Sequence, residues 1–132
     1  MREDRAMTIA AVSRTYDLSA DTLRYYERIG LIPPVHRSAG GIREYDEEDC
    51  RWGEFIKCMR GAGLPIESLV EYVALFQQGE ETAPARKLLV EQRQRLAERI
   101  EEMQAVLTRP DYKIDGYDRL AAAGNKLRRS RD

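Results

Sequence analysis

DTLRYYERIGLIPP, residues 21–34, is the stretch that decides the fold. Ser19 stands two residues ahead of it as a natural N-cap, because a hydroxyl there accepts from a free amide of the first helical turn. Leu23 and Ile29 point inward on one face, Gly30 offers a left-handed helix end, and Pro33-Pro34 forbids continuation. The stretch therefore begins as a short helix closed at both ends. Just upstream, Thr8 to Tyr16 carries Ile9, Val12 and Tyr16 at helical spacing, and Asp17-Leu18-Ser19 joins the two segments through a tight turn. Two short helices across a three-residue turn make a helix-turn-helix unit, although helical hairpins follow the same grammar.

Working outward, VHRSAGGIREY (residues 35–45) reads as a hairpin with Gly40-Gly41 at its tip. Asp46 starts a third helix whose acidic first turn suits the positive helix end. Trp52, Phe55, Ile56, Met59 and Ala62 share a face predicted to pack on the first two helices. Gly61 to Pro65 breaks that helix. Ile66 to about Gln78 forms a fourth, with Leu69, Val73 and Phe76 aligned. From Glu80 the pattern changes in kind. Leu89, Leu96 and Met103 fall at d positions, and Arg93, Ile100 and Leu107 at a positions, a heptad seam with one charged interruption. Such a seam is exposed in a monomer and implies a partner helix; the alternative is a helix folded back on its own domain. After Pro110 the pattern fades to one short helix and a disordered tail carrying Lys126, Arg128, Arg129 and Arg131. The expected organisation is a mainly α chain: a winged helix-turn-helix over 1–79, a dimerisation helix over 80–108, and a short segment over 109–132.

Composition bounds the function. With 42% hydrophobic and 34% charged residues, and no apolar stretch near the ~20 residues of a membrane span, no membrane association is expected. MREDRAM has no hydrophobic run after its charges, which points to the cytoplasm. Cys50 and Cys58 lie eight residues apart on one helix, about 12 Å of rise, whereas a disulfide needs Cα atoms within about 7 Å. Net charge is −1, and residues 1–60 hold ten Lys and Arg against eleven Asp and Glu. The bulk basicity usual for nucleic-acid binding is missing, so that reading rests on where charges sit. Acids crowd into Glu44, Asp46, Glu47, Glu48 and Asp49, while Arg24, Arg28, Arg37 and Arg43 occupy segments able to face phosphates.

DTLRYYERIGLIPP, the Gly-x-Arg-x-Tyr ending of RSAGGIREY (37–45) and FIKCMRGAGLPIESL (55–69), in that order, resemble the DNA-binding half of MerR-family transcription regulators. A recognition helix enters the major groove with its N-terminal side chains at base edges and flanking phosphates. Here those are Thr22, Arg24, Tyr25 and Tyr26, with one tyrosine expected to turn partly inward. Arg24 suits either a phosphate or a guanine edge. Arg37 and Arg43 flank the wing tip, and Arg60 is a second-wing phosphate contact by resemblance. Ser13, Arg14 and Tyr45 complete the expected DNA-facing set. The resemblance further implies a homodimer held by an antiparallel coiled coil through Leu89, Leu96, Ile100, Met103 and Leu107, and a promoter distorted so that RNA polymerase engages it.

No cofactor and no enzymatic activity are expected: HExxH, a P-loop and a cysteine–histidine pairing are all missing. Residues 79–132 lack cysteine and histidine, so no thiolate metal site lies there. His36, the only histidine, sits in the wing as a surface residue. Phe-Ile-Lys-Cys-Met-Arg and Tyr112-Lys113-Ile114 resemble the AdhR/NmlR-like branch that answers aldehydes and other electrophiles through a single cysteine. That makes Cys58 the candidate sensor, placed on a helical wheel at the flank of a core face centred near Met59, with Cys50 pointing nearly opposite the core. The alternatives are that Cys58 is a small buried hydrophobe and that the chain is an architectural or constitutive DNA-binding dimer.

Overall fold

In the computed structural model, which describes residues 6–79 and 82–131 and side chains as far as Asn125, Thr8 opens the first helix. Its hydroxyl accepts from the Ala11 N–H at 3.1 Å, and α1 runs Ile9–Tyr16 until Asp17 turns left-handed at φ 53°. Ser19 opens α2, Ala20–Ile29, by accepting from the Thr22 N–H at 3.0 Å. Gly30 closes it at φ 83°, a conformation that needs no Cβ. The wing is β1, His36–Arg37, paired antiparallel with β2, Arg43–Glu44, in the register His36 to Glu44 and Arg37 to Arg43. Its tip is held by Ser38, whose N–H donates to the Ile42 carbonyl and whose hydroxyl accepts from the Ile42 N–H. A feature without a signal in the apolar pattern extends this sheet. Met7 and Tyr45 exchange both backbone hydrogen bonds, at 2.7 and 2.9 Å, so the chain entering α1 lies beside the chain leaving the wing.

An Asp46–Asp49 capping box starts α3, Glu47–Gly61. Pro65 precedes α4, Ile66–Gln78. These elements enclose a core of Val12, Leu18, Leu23, Leu31, Ile32, Val35, Ile56, Leu64, Leu69 and Val73. The helix-turn-helix, wing, and third and fourth helices therefore stand where the sequence reading puts them.

The face that α3 buries is different from the expected one. Cys50, Trp52, Gly53 and Ile56 are buried, whereas Phe55 and Met59 are half-buried. At about 100° per residue the face is centred near Ile56, about 60° from Met59. The cause is Gly53. A Cβ there would stand 3.6 Å from Leu18 Cδ1 and 3.8 Å from Leu23 Cδ2, so the bare backbone approaches the turn and α2 in a way that apolar periodicity does not register. Trp52 and Phe55 turn instead toward α4, where Trp52 meets Tyr72 and Phe76 at ring separations of 5.8 and 5.0 Å.

The last helix, α5, runs Ala83–Arg131 with Pro110 inside it. The chain groups into Met1–Arg93 and Gln94–Asp132. In the first unit, Ala85 and Gln92 of α5 are buried. In the second, helix replaces the short segment and disordered tail expected after Pro110. Proline removes one hydrogen bond from a helix but does not cancel the propensity of the turns around it. Thr108 donates its hydroxyl to the Ala105 carbonyl at 2.7 Å beside the break, and an Asp115–Arg119 pair and Ala121–Ala123 sustain the helix beyond it. The side chains of Lys126, Arg128, Arg129 and Arg131 lie outside the described residues.

The distances at Gly53 give a signed expectation. They are ordinary van der Waals contacts, so Gly53→Ala fills space without collision and relieves a helix-interior glycine. It should stabilise the chain by about 0.5–1 kcal/mol. Gly53→Leu overpacks the same crossing and should destabilise by about 1–3 kcal/mol. Urea denaturation of both variants checks the opposite signs.

Candidate nucleic-acid interface

Burial sorts the side chains of α2 into an inner and an outer set. Leu23 and Tyr26 are buried, while Arg24 and Tyr25 are exposed and Thr22 is half-buried. The tyrosine that turns inward is Tyr26, and burial pushes its phenol above the ordinary range. Tyr26 is thus a core residue and not a surface contact. Thr22 is held in place, its hydroxyl accepting from Ser19 Oγ at 2.7 Å. Arg24 pairs with Asp21 at 3.0 Å, an exposed pair of the kind that contributes little and yields readily to a stronger anion. Arg28 lies 5.4 Å over the Tyr25 ring, which adds a second cation to the outer face. On α1, Arg14 is exposed and Ser13 half-buried.

The wing departs from the expected picture. Arg37 is exposed, with one guanidinium nitrogen 3.4 Å from the Gly41 carbonyl. Arg43 is not a free cation. Its Nε donates to Glu27 Oε1 at 2.7 Å, and the two side chains are only 22% and 13% exposed. Glu27 Oε2 also accepts from the Val35 N–H at 3.0 Å. Tyr45 is 1% exposed, so it cannot be a DNA-facing residue; its side chain fills the core behind the wing, and its hydroxyl finds no hydrogen-bond partner among the described residues. Arg60 is exposed and closes the end of α3, donating to the Leu64 carbonyl at 2.7 Å.

Glu27 is the residue that sequence reasoning missed. The available signal was a lone acid in the middle of a helix otherwise offering arginine and tyrosine, with Arg43 in a neighbouring segment. Burial alone raises its carboxyl. The hydrogen bonds from Arg43 and Val35 and the charge of Arg43 outweigh that, leaving it below the ordinary range.

Both cysteines depart from their expected places: Cys50, expected to point away from the core, is buried, and Cys58, expected at its flank, is exposed. Cys50 is 3% exposed, with Sγ 4.0 Å from Met7 Sδ. Burial pushes its thiol up against the opposing hydrogen bond from Tyr16. Cys58 is exposed, about 160° around the helix from Ile56. Both departures follow from the buried face of α3 lying near Ile56 and not near Met59. Lys57, next to Cys58, is anchored to the carbonyls of Tyr16 and Asp17, each at 3.0 Å.

Among the described residues no three His, Cys, Asp or Glu side chains gather as metal ligands, and no helix is long and apolar enough to cross a membrane. On α5, Leu89 and Leu96 are half-buried, whereas Ile100, Met103 and Leu107 are 49%, 67% and 60% exposed.

Comparison with known proteins places these features in context. Residues 7–75 match the MerR HTH family regulatory protein model, and residues 54–109 match the MerR, DNA binding model. The chain is 61% identical over 93 residues to the HTH-type transcriptional regulator AdhR of Bacillus subtilis, a match covering 70% of this chain and 66% of AdhR. Among solved structures it resembles a MerR family transcriptional regulator from Listeria monocytogenes, with TM-score 0.88 and 51% identity over 92% of this chain and 94% of that one. It also resembles HiNmlR, a MerR family regulator lacking the sensor domain, bound to promoter DNA, with TM-score 0.78 and 26% identity over 90% and 95% of the two chains.

The depressed Glu27 carboxyl makes a pH prediction. A carboxylate with a lowered folded value contributes stability that is present above its ordinary 4.5 and lost as pH falls through the folded value. The chain should therefore lose stability below about pH 4.5 more steeply than Glu27→Gln does. Denaturation midpoints across this range check it, and parallel curves would show that Glu27 carries no linkage.

Proposed function

The chain belongs to the MerR family of helix-turn-helix regulators and is a DNA-binding transcription regulator of that type, and we propose that it acts as a cytoplasmic homodimer that reads one promoter and distorts it for RNA polymerase. The observation that carries this reading is the two-sided α2. Leu23 and Tyr26 anchor it in the core, while Arg24, Tyr25 and Arg28 are exposed on its outer side and Thr22 is half-buried at its start. This is the arrangement a major-groove helix requires. Ser13, Arg14, Arg37 and Arg60 join the DNA-facing set as flanking contacts. Residues 1–79 form the DNA-binding part and 80–108 the dimerisation helix. The binding of promoter DNA by HiNmlR supports the same role here. A footprint on the promoter adjoining the chain's own gene tests it directly; protection of no discrete site would overturn it.

Dimerisation is supported by Ile100, Met103 and Leu107, which a single copy leaves in water. An antiparallel coil with a second copy covers them. Leu96→Glu with Ile100→Glu puts charges into the seam and should yield monomers that bind the promoter much more weakly. Sedimentation reads the outcome; a doubly substituted chain that remains dimeric locates the interface elsewhere.

The signal we propose is electrophile modification of Cys58, with aldehydes as the candidate class. Similarity to AdhR over 93 residues supports it, as does the difference between the two thiols: Cys58 is open to solvent, whereas Cys50 is buried and its thiol raised. A thiolate must be both formed and reachable to react. Cys58→Ser should abolish reporter induction by aldehyde while leaving promoter binding intact, and Cys50→Ala should respond normally. Full induction with Cys58→Ser removes the sensor and leaves a regulator switched by another signal or by none.

A further inference from the structure

One carboxylate joins the recognition helix to both sides of the wing. Glu27 projects from α2; it accepts from the backbone of Val35, the residue before β1, and from the side chain of Arg43, the first residue of β2. A charge-assisted hydrogen bond between two largely sheltered groups is stronger and more directional than a surface pair. Two consequences follow from the geometry. The wing and α2 are braced to move together, and the guanidinium nearest the wing's inner side has its charge answered within the protein.

The second consequence bears on DNA recognition. Non-specific affinity comes from cations that displace counterions from phosphates, whereas discrimination comes from base contacts held in register. Residues 1–60 already carry fewer basic than acidic groups, and the Glu27 pair takes one more cation out of the phosphate-facing set. We propose that Glu27 is a specificity-determining positioning residue, which withholds Arg43 from the DNA backbone and fixes the wing against α2 so that discrimination among sequences rises as indiscriminate affinity falls. The inference deepens the proposed promoter reading and rests on it.

The test uses the full chain with a duplex from the promoter adjoining its own gene and a random duplex of equal length, titrated by fluorescence anisotropy across a salt series. Glu27→Gln keeps an acceptor for the Val35 N–H but removes the charge that holds Arg43. It should bind the random duplex more tightly, with a salt slope steeper by about one unit per protomer. Its promoter-to-random ratio should fall about tenfold, on the scale of one lost base contact. Arg43→Gln with Glu27 intact should leave the slope unchanged, and the double variant should restore the wild-type slope. Arg43→Gln that flattens the slope by about one unit per protomer makes Arg43 a phosphate contact and overturns the proposal. So does a Glu27→Gln chain with unchanged slope and ratio. If Glu27→Gln fails to fold, Arg43→Gln alone decides through its slope. A wild-type chain with no promoter preference overturns the promoter reading, and the proposal with it; a preference undiminished in Glu27→Gln overturns the proposal alone.

Discussion

Helices of 8 and 10 residues, the lengths of α1 and α2, are too short to persist in water on their own. They are held by how closely α3 crosses them, and that approach is set at Gly53, against Leu18 in the turn and Leu23 in α2. A side chain well beyond a methyl would press α3 away from the turn, and the wing is tied to α3 because Asp46 caps that helix shortly after β2 ends. The outward presentation of Arg24 and Tyr25 is thus a consequence of a contact on the other side of the helix. On the same helix Cys50 lies on the buried side and Cys58 on the exposed side.

Much of this was legible in the sequence because local chemistry and tertiary structure agree. Ser19 and Gly30 mark the ends of α2, Gly40-Gly41 the wing tip, and the Gly61–Pro65 stretch the break before α4, each through a backbone requirement that only a few residue types meet. Leu23, Leu69 and Val73 announced their burial by spacing. What was hidden had no periodic signature. Gly53 adds no apolar side chain to a helical wheel, so the face of α3 was misplaced by about 60°. Tyr45 and Tyr26 look equally suited to a core or to a phosphate, and only packing chooses. The continuation of α5 past Pro110 was hidden because the apolar pattern fades there, while the helix formers on both sides of the proline sustain the helix without it.

Arg43 shows why charge is harder to read than hydrophobicity. A basic residue in a wing has the right sign and position for a phosphate, yet its partner lies sixteen residues earlier, on another element. Pairing of this kind leaves net charge untouched while changing which charges are available. For a chain with a net charge of −1, the usable field near DNA is set by which arginines have protein partners. Arg14 and Arg28 are exposed, Arg24 is loosely paired, and Arg43 is sheltered.

The pairing of Met7 with Tyr45 reaches beyond the static fold. It closes a loop around the entire helix-turn-helix and wing, so the sheet stays incomplete until the chain has been synthesised past residue 45. On a ribosome, α1 and α2 emerge before the strand that ties their entrance, and they must wait for α3 to bury their inner face. The entrance to α1 is therefore tied only after the wing has formed, and the inner face of the two helices is covered later still, by α3. Because Met7 pairs with Tyr45 while Thr8 beside it caps α1, a change at this entrance reaches the wing and the first helix together.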